Sequence, residues 1–302
     1  MCVVWDTPYP AGVEKGVTFF PSDVTKTDAQ EIKIDQKGYL QSILDQYKDD
    51  IASYKGQANS PCDDKIFRPV YNEVESVPVD PSAFASKLMK VRYLVRTRPD
   101  IELVCSALCT RSKNPVVGDD NYLNRFLKYL KNTQELGIHI NPNNLQTVAY
   151  FDAGHAVHLD RKSQSGIIVC LSEFGVPVHY RSVKQKLVAT SSTEAELIAM
   201  YEGLDFVLWF RQIMEWMGCK QKTTIIFQDN TSTITIAYLG RGSSASKTKH
   251  INIKYFFVKS YIDNKTFEIQ HLSRDNMIAD FFASPRTGQN FRKVRDMIMH
   301  NL

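Results

Sequence analysis

Apolar residues in the first 140 positions recur at intervals of three and four, the spacing of one helix face. This spacing predicts helices over residues 37–47, 101–108 and 123–130. A further helix is predicted to begin at Asp80, an N-cap residue that is followed by proline at the first helical position. The first domain, residues 1–140, is therefore expected to be mainly helical.

The pattern changes after the turn-rich segment Asn-Pro-Asn-Asn at 141–144, which we take as the domain boundary. Short β-rich runs then alternate with helical spacing, and a long amphipathic helix is predicted over 191–217. Strands are predicted at 145–152, 166–171, 176–181, 223–227 and 266–271, and further helices at 231–239, at 251–262 and from Ser273 onward. Residues 145–302 are therefore predicted to form an α/β domain, a mixed five-stranded sheet with flanking helices.

The composition narrows the class of protein. A hydrophobic content of 43% allows ample core, and a formal net charge of +4 permits a polyanionic partner without the concentrated basic surface of a dedicated nucleic-acid binder. The six cysteines lack metal-site spacing, which favours reduced thiols in an intracellular protein, cytoplasmic or nuclear. No apolar run reaches the roughly 18 residues of a membrane span, so no membrane partner is expected.

Four acidic residues lie where this order of elements could bring them together. Asp152 ends the first predicted strand, Glu196 lies in the first turns of the long helix, Asp229 follows a buried strand, and Asp280 lies on the last helix. Strand ends form a ligand crevice in such sheets, and clustered carboxylates there require a hard cation such as Mg²⁺ or Mn²⁺. Two such ions can promote phosphodiester hydrolysis. One acid alone is more often a helix cap or a solvated side chain, so only the set predicts a metal centre.

Two glutamates near the start of the long helix are predicted to have different roles, one in capping the helix and one in binding metal. With Ser191 as N-cap, Glu194 occupies the N3 position of a capping box, and its carboxylate is predicted to accept from the backbone amide of Ser191. Glu196 has no such local role and is assigned to the metal. His155 and His158 are a weak zinc signal and are expected at the surface.

These segments resemble the ribonuclease H region at the end of the Pol polyprotein of copia-type LTR retrotransposons. The resemblance is carried by Tyr150-Phe-Asp152, Asp160-Arg-Lys-Ser163 with Gly166, Lys184-Gln-Lys186, Ser191-Ser-Thr-Glu-Ala-Glu196, Gln228-Asp-Asn230, Thr248-Lys-His-Ile-Asn-Ile253 and Ala279-Asp280-Phe-Phe. It extends upstream to Tyr93–Asp100, Phe126–Lys131 and Leu136-Gly137, and it thins before about residue 80.

The resemblance implies a ribonuclease H-like fold, two Mg²⁺ ions for which Mn²⁺ can substitute, and an RNA/DNA hybrid as substrate. The family's Asp, Glu, Asp, Asp catalytic order falls on Asp152, Glu196, Asp229 and Asp280. The first domain would then be a remnant of the reverse transcriptase thumb or connection region, and other Pol-derived domains are candidate partners. Candidate substrate contacts near the acids are Ser192, Thr193, Asn230, Arg181, Lys184, Lys186, Lys249 and His250.

Two departures from the family pattern keep a second hypothesis open. Ala153-Gly154-His155 follows Asp152 where the family usually has an acidic or serine residue before an aromatic or histidine, and Ala283-Ser284 replaces a usual Thr-Lys. Neither change removes a predicted ligand, yet both suit a catalytically inactive remnant that at most binds nucleic acid. An integrase or transposase of the same superfamily is disfavoured, because its glutamate comes last of three acids.

A polymerase signature in the first half is also rejected. Tyr47-Lys48-Asp49-Asp50 matches the YxDD pattern of reverse transcriptases, which requires a tight hairpin between apolar strands. Here the segment ends a predicted amphipathic helix, and 46 residues precede it, too few for the rest of a polymerase palm. Polymerase activity is therefore not expected.

Overall fold

The computed structural model describes residues 17–19, 22–26, 32–141, 144–239 and 249–299. These residues form two compact units. The first contains the described residues up to 141 together with 285–299, and the second contains 144–284.

The first unit combines helices with a small antiparallel sheet. Its helices include α1 (Lys37–Gln46), α2 (Lys48–Ser53), α3 (Pro81–Arg92), α4 (Glu102–Cys109) and α5 (Val117–Asn132). Its strands β1 (Val17–Phe19), β2 (Ser22–Lys26), β3 (Ile32–Asp35) and β4 (Ile138–Ile140) pair antiparallel in that order. The sheet was not predicted, because strands of three to five residues carry too few apolar positions to show a two-residue period.

Local sequence explains the start of α3. The Asp80 carboxylate accepts hydrogen bonds from the backbone amides of Ser82 and Ala83, which satisfies two amides that the helix itself leaves without acceptors. Phe84 and Leu88 lie on the buried face of the helix. The predicted N-cap at Asp80 is therefore confirmed.

The YxDD-like segment lies in helical surroundings. Tyr47 lies between α1 and α2, and Asp49 and Asp50 lie in the first turn of α2. Asp50 forms a 2.9 Å ion pair with Lys87 of α3. Helices therefore hold the paired aspartates, and these residues do not form the tip of a β-hairpin.

The second unit is built on a mixed five-stranded sheet. Its strands are β5 (Thr147–Gly154), β6 (Gln164–Leu171), β7 (Val176–Lys184), β8 (Thr224–Gln228) and β9 (Phe267–His271), in the spatial order β7-β6-β5-β8-β9. The first three pair antiparallel, while β8 runs parallel to both β5 and β9. The helices are α6 (Ser192–Trp216), α7 (Thr231–Leu239), α8 (Lys249–Asp263) and α9 (Asp280–Ala283). The predicted ribonuclease H-like fold is confirmed.

The long helix α6 packs closely on the central strands. Gly203 makes this approach possible, since a Cβ atom there would lie 2.1 Å from the ring of Phe151 on β5. Fully buried residues of the surrounding core include Ala149, Ile167, Val169, Leu197, Met200, Leu204, Val207 and Ile226. Because Glu196 lies on α6 and Asp152 on β5, the same contact sets the separation of two candidate ligands.

A second close approach brings α9 against the sheet. A Cβ atom on Gly166 of β6 would lie 2.3 Å from the carbonyl oxygen of Ala279. The Ser182 hydroxyl of β7 donates a 2.5 Å hydrogen bond to the carbonyl oxygen of Phe282. These contacts fix the position of Asp280, the first residue of α9.

Two predictions about the end of the chain were wrong. The helix predicted from Ser273 is instead a 3₁₀ turn (Arg274–Asn276) followed by the four-residue helix α9. The last helix, α10 (Gly288–Met299), was not predicted, and it belongs to the first unit, although the second domain was expected to reach residue 302. The buried Phe291 ring of α10 packs edge-on against Tyr129 of α5, with ring centres 5.8 Å apart, which explains this correction.

The described cysteines are free thiols, as the sequence predicts. Burial raises the pKa of the Cys62 thiol to about 12, and it also raises the pKa of Cys105 well above its usual range. Both thiols therefore stay protonated and unreactive at neutral pH. No helix in the described parts of the chain is both long and apolar enough to cross a membrane.

We expect Gly203→Ala to destabilise the chain by about 1–3 kcal/mol, because the added methyl group must displace Phe151 or α6. Gly38→Ala is the control. Gly38 lies in α1 with open space around its Cβ position, so this change should leave stability unchanged or raise it by up to about 1 kcal/mol. Urea unfolding followed by circular dichroism measures both, and equal effects would show that α6 does not pack closely on Phe151.

Candidate active site

The candidate site lies where two parallel strands end. Asp152 lies near the end of β5, and Asp229 directly follows β8, which runs parallel to β5. Glu196 lies in the second turn of α6, and Asp280 begins α9. Four separate elements therefore bring the predicted acids to one edge of the sheet.

Three of the four carboxylates form a compact group. Oxygen atoms of Asp152, Glu196 and Asp229 all lie within 4.8 Å of one another. Asp280 is hydrogen-bonded to Asp152, which joins the fourth acid to the group. The exposed fractions of Asp152, Glu196 and Asp280 are 5%, 5% and 6%, whereas Asp229 is half-buried. Like-charged groups are thus held together with little water around them.

Burial and mutual repulsion change how these acids titrate. Burial, followed by the charges of Asp280 and Asp229, raises the pKa of Asp152 to about 8. Burial and the neighbouring Asp152 raise the pKa of Glu196 well above its usual range. Burial also raises the pKa of Asp229, although the Arg274 guanidinium lowers it. At neutral pH the group therefore retains protons unless a cation compensates its charge.

The donor set fits a hard divalent cation. It consists of carboxylate oxygens, the ligands that Mg²⁺ and Mn²⁺ prefer in proteins. Their separations of at most 4.8 Å among three acids allow several oxygens to reach one ion. Asp152, Glu196, Asp229 and Asp280 are therefore the residues that could hold a metal.

The acids open into a cleft of about 470 Å³. Besides the four acids, the residues that line it are Ala153, Gly154, His155, Val157, Ser192, Asn230, Arg274 and Ser284. Arg274 and His155 were not predicted as site residues. Arg274 was not predicted as a site residue because its segment was predicted to be helical. The sequence signal for it is a positively charged residue six positions before the candidate ligand Asp280.

The segment that begins α6 follows the prediction in part. Ser191 caps the helix, since its hydroxyl accepts a 3.2 Å hydrogen bond from the Glu194 amide. The Glu194 carboxylate, however, accepts from the amide and the hydroxyl of Thr190 instead of the predicted Ser191 amide. Glu194 still has a structural role, and Glu196 is the residue that reaches the other acids.

Two of the predicted substrate contacts near the starts of α6 and α7 line the cleft. Ser192 is exposed there, and Asn230 is half-buried in the same lining. The Asn230 side chain also accepts hydrogen bonds from the amides of Ser232 and Thr233 at the start of α7, so part of its role is structural. Thr193 is not among the lining residues.

Three of the predicted basic contacts, Arg181, Lys184 and Lys186, are not among the residues that line the cleft. Arg181 and Lys186 are exposed, on β7 and just after it. Lys184 forms a 2.9 Å ion pair with Asp160. Lys249 and His250 are the first residues of α8, and their side chains lie outside the described part of the structure.

The two departures from the family pattern meet at the edge of the cleft. A Cβ atom on Gly154 would lie 2.5 Å from the carbonyl oxygen of Ala283, so β5 and α9 approach this closely only with glycine at position 154. Neither departure displaces one of the four acids. His158, which was expected at the surface, is instead buried, and its ring lies 2.8 Å from the side-chain oxygen of Gln164.

Comparison with known proteins finds relatives among retroelement polyproteins. The chain is 30% identical over 222 residues to the retrovirus-related Pol polyprotein from transposon RE1 of Arabidopsis thaliana, and the alignment covers 72% of this chain and 15% of that protein. It is 26% identical over 221 residues to the corresponding polyprotein from transposon TNT 1-94 of Nicotiana tabacum, with 72% and 16% covered. A shorter match, 34% identical over 129 residues, is to the secreted RxLR effector protein 161 of Plasmopara viticola, and it covers 42% of this chain and 89% of that protein. No family model matches.

The chain thus spans about 15% of the length of these Pol polyproteins. Among solved structures, the ribonuclease H1 named LC11, isolated from compost, is 17% identical, and the overlap covers 46% of this chain and 92% of that protein at a TM-score of 0.34. The strand order of the sheet, and not this overlap, defines the fold. The chain belongs to the family of retrovirus-related Pol polyproteins of copia-type transposons, and its second unit has the ribonuclease H-like fold.

Proposed function

We propose that the second unit is a metal-dependent endonuclease that cleaves the RNA strand of RNA/DNA hybrids. The observation that carries this proposal is the convergence of Asp152, Glu196 and Asp229, with Asp280 hydrogen-bonded to Asp152, at one edge of the sheet. The substrate class comes from the family resemblance, since a Pol polyprotein that copies RNA into DNA produces such hybrids.

The four acids would hold two Mg²⁺ ions, for which Mn²⁺ can substitute. When bound, these ions would supply activation of a water molecule and neutralisation of charge on the leaving oxygen. The protein keeps Asp152, Glu196 and Asp280 buried and fixed on packed elements, so the ligands are positioned before the substrate arrives.

The rim of the cleft would bind the hybrid. Ser192 is exposed there, and its hydroxyl can bond to a phosphate or to the ribose 2′-hydroxyl that distinguishes RNA from DNA. The Arg274 guanidinium is a natural partner for a phosphate. Beyond the rim, the exposed Arg181 and Lys186 would contact more distant phosphates of the duplex.

Asp152→Asn and Asp229→Asn should each reduce cleavage of the RNA strand of a labelled RNA/DNA hybrid by more than about a hundredfold. Each substitution removes a metal ligand, and loss of a group that merely supports such a ligand already costs about 10- to 100-fold. Denaturing gels of the full chain and its variants, in Mg²⁺ and in Mn²⁺, measure the loss.

Asp205→Asn is the matched control for this assay. It also replaces a carboxylate by an amide, but Asp205 is exposed on α6 and is not part of the cleft lining, so cleavage should be unchanged. A wild-type chain that is folded yet cuts no hybrid would contradict the proposed activity. The chain would then be an inactive remnant, and binding of nucleic acid would be the function left to test.

Mg²⁺ should raise the melting temperature of the chain, and more at pH 8 than at pH 6. Without metal, the folded state retains a proton at Asp152 up to a pKa of about 8, whereas the unfolded chain releases it at about pH 4. This contribution to stability is complete below about pH 4 and is lost as the pH rises through about 8. At pH 6 a cation must therefore displace the proton from Asp152, whereas at pH 8 a larger fraction of Asp152 is already ionised and can bind the cation directly.

Thermal melts with and without Mg²⁺ test this expectation. Asp229→Asn should abolish the Mg²⁺-dependent shift, because it removes one of the three clustered ligands. Asp205→Asn should keep the shift at its wild-type size. An equal shift in the wild-type chain and in Asp229→Asn would place the bound metal elsewhere.

A further inference from the structure

Gln228 is a buried polar residue that contacts three of the elements carrying the acids. It ends β8 directly before Asp229, and its exposed fraction is 0%. Its side-chain oxygen accepts hydrogen bonds from the amides of Asp229, at 2.8 Å, and Asn230, at 3.0 Å. Its side-chain nitrogen donates to the carbonyl oxygen of Phe151, at 3.3 Å, and to a carboxylate oxygen of Glu196, at 3.4 Å. The side-chain amide of Gln228 thus accepts two hydrogen bonds and donates two.

These partners fix the orientation of the amide group. Two backbone N–H groups lie at one end, and they require an acceptor. Two oxygens lie at the other end, and they require a donor. A carboxamide supplies both, with an acceptor oxygen at one end and a nitrogen that carries two donors at the other, and the carboxamide of asparagine is one methylene closer to the backbone than that of glutamine.

The contacts also lie where the backbone pairing of the sheet ends. Pairing between β5 and β8 finishes at Tyr150 and Phe227. The bond from Gln228 to the carbonyl oxygen of Phe151 links the two strands one residue further on, directly before Asp152. The side chain therefore ties together the segments that carry Asp152, Glu196 and Asp229.

We propose that Gln228 is a positioning residue for the metal centre, which sets the geometry of the three carboxylates through these four hydrogen bonds. The inference rests on the proposed function, since it assumes that the acids hold a metal. In this role Gln228 is not itself a metal ligand. It acts by orienting Glu196 and by holding the turn that presents Asp229.

Calorimetric titration of the full chain with Mn²⁺ tests the inference without relying on cleavage. Gln228→Met keeps an unbranched side chain of similar length but removes all four hydrogen bonds. It should weaken Mn²⁺ binding by about tenfold or more, in the range found for groups that orient metal ligands. Gln228→Asn keeps the amide but is too short to span both sets of partners, so it should weaken binding to a smaller extent.

Gln221→Met is the matched control. Gln221 is also buried and also makes four hydrogen bonds, to the amide and hydroxyl of Thr147 and to the carbonyl oxygens of Leu145 and Cys219. These bonds lie at the opposite end of β5 from Asp152. The control should lower the melting temperature to a similar extent while leaving the Mn²⁺ affinity within about twofold of wild type, because it orients no ligand.

The outcomes separate the inference from the proposed function. Wild-type affinity in Gln228→Met, or in Gln228→Asn if the methionine variant does not fold, would overturn the positioning role and leave the metal centre intact. If Gln221→Met weakened Mn²⁺ binding as much as Gln228→Met does, the weaker binding would reflect a general loss of stability. That result would also overturn the positioning role. Absence of Mn²⁺ binding by the folded wild-type chain would overturn the metal centre and the inference together.

Discussion

Burial of like-charged carboxylates at the ends of β5 and β8 is the constraint on which the second unit depends. Asp152 and Glu196 are almost fully removed from water, and burial together with mutual repulsion raises both of their pKa values. An ionised carboxylate in such surroundings is unfavourable unless a cation or hydrogen bonds compensate its charge. The mixed sheet creates this situation, because its parallel strands β5 and β8 end at the same edge.

Close packing holds the carboxylates in place against their repulsion. Gly203 lets α6 lie directly on Phe151, and Gly166 lets the backbone before Asp280 lie on β6. A side chain at either glycine would push a ligand-bearing element away from the sheet. Packing directly beside the acids thus helps to set the distances within the cluster, and the hydrogen bonds of Gln228 link the segments that carry the acids.

Long, strongly patterned elements explain why much of the second unit could be predicted from the sequence. The 25-residue helix α6 has a serine N-cap at Ser191 and ends at Trp216, shortly before Gly218, whose positive φ of 84° suits glycine. The predicted alternation of strands and helices then assigned each acid to the end of a strand or to a helix. Short elements could not be predicted in the same way, since the four-residue helix α9 and the strands β1–β4 are shorter than the patterns that identify them.

The candidate site was predictable for the four acids taken as a set, and not for residues that act through their neighbours. A single carboxylate such as Asp229 is weak evidence, but four carboxylates placed on successive predicted elements predict a metal centre. Gln228 and Arg274 gain their roles from contacts between elements that are distant in the chain. The hydrogen bond of the Glu194 carboxylate was also not predictable. The carboxylate accepts from the amide of Thr190 instead of that of Ser191, and this depends on the exact backbone path before α6.

Anomalous scattering from Mn²⁺ in crystals of the chain bound to an RNA/DNA hybrid tests the central claim most directly. Mn²⁺ is expected in contact with Asp152, Glu196, Asp229 and Asp280, on the side of the cleft where the RNA strand lies. Ordered Mn²⁺ elsewhere in the crystal, with none between these four acids, would contradict the assignment of the metal centre.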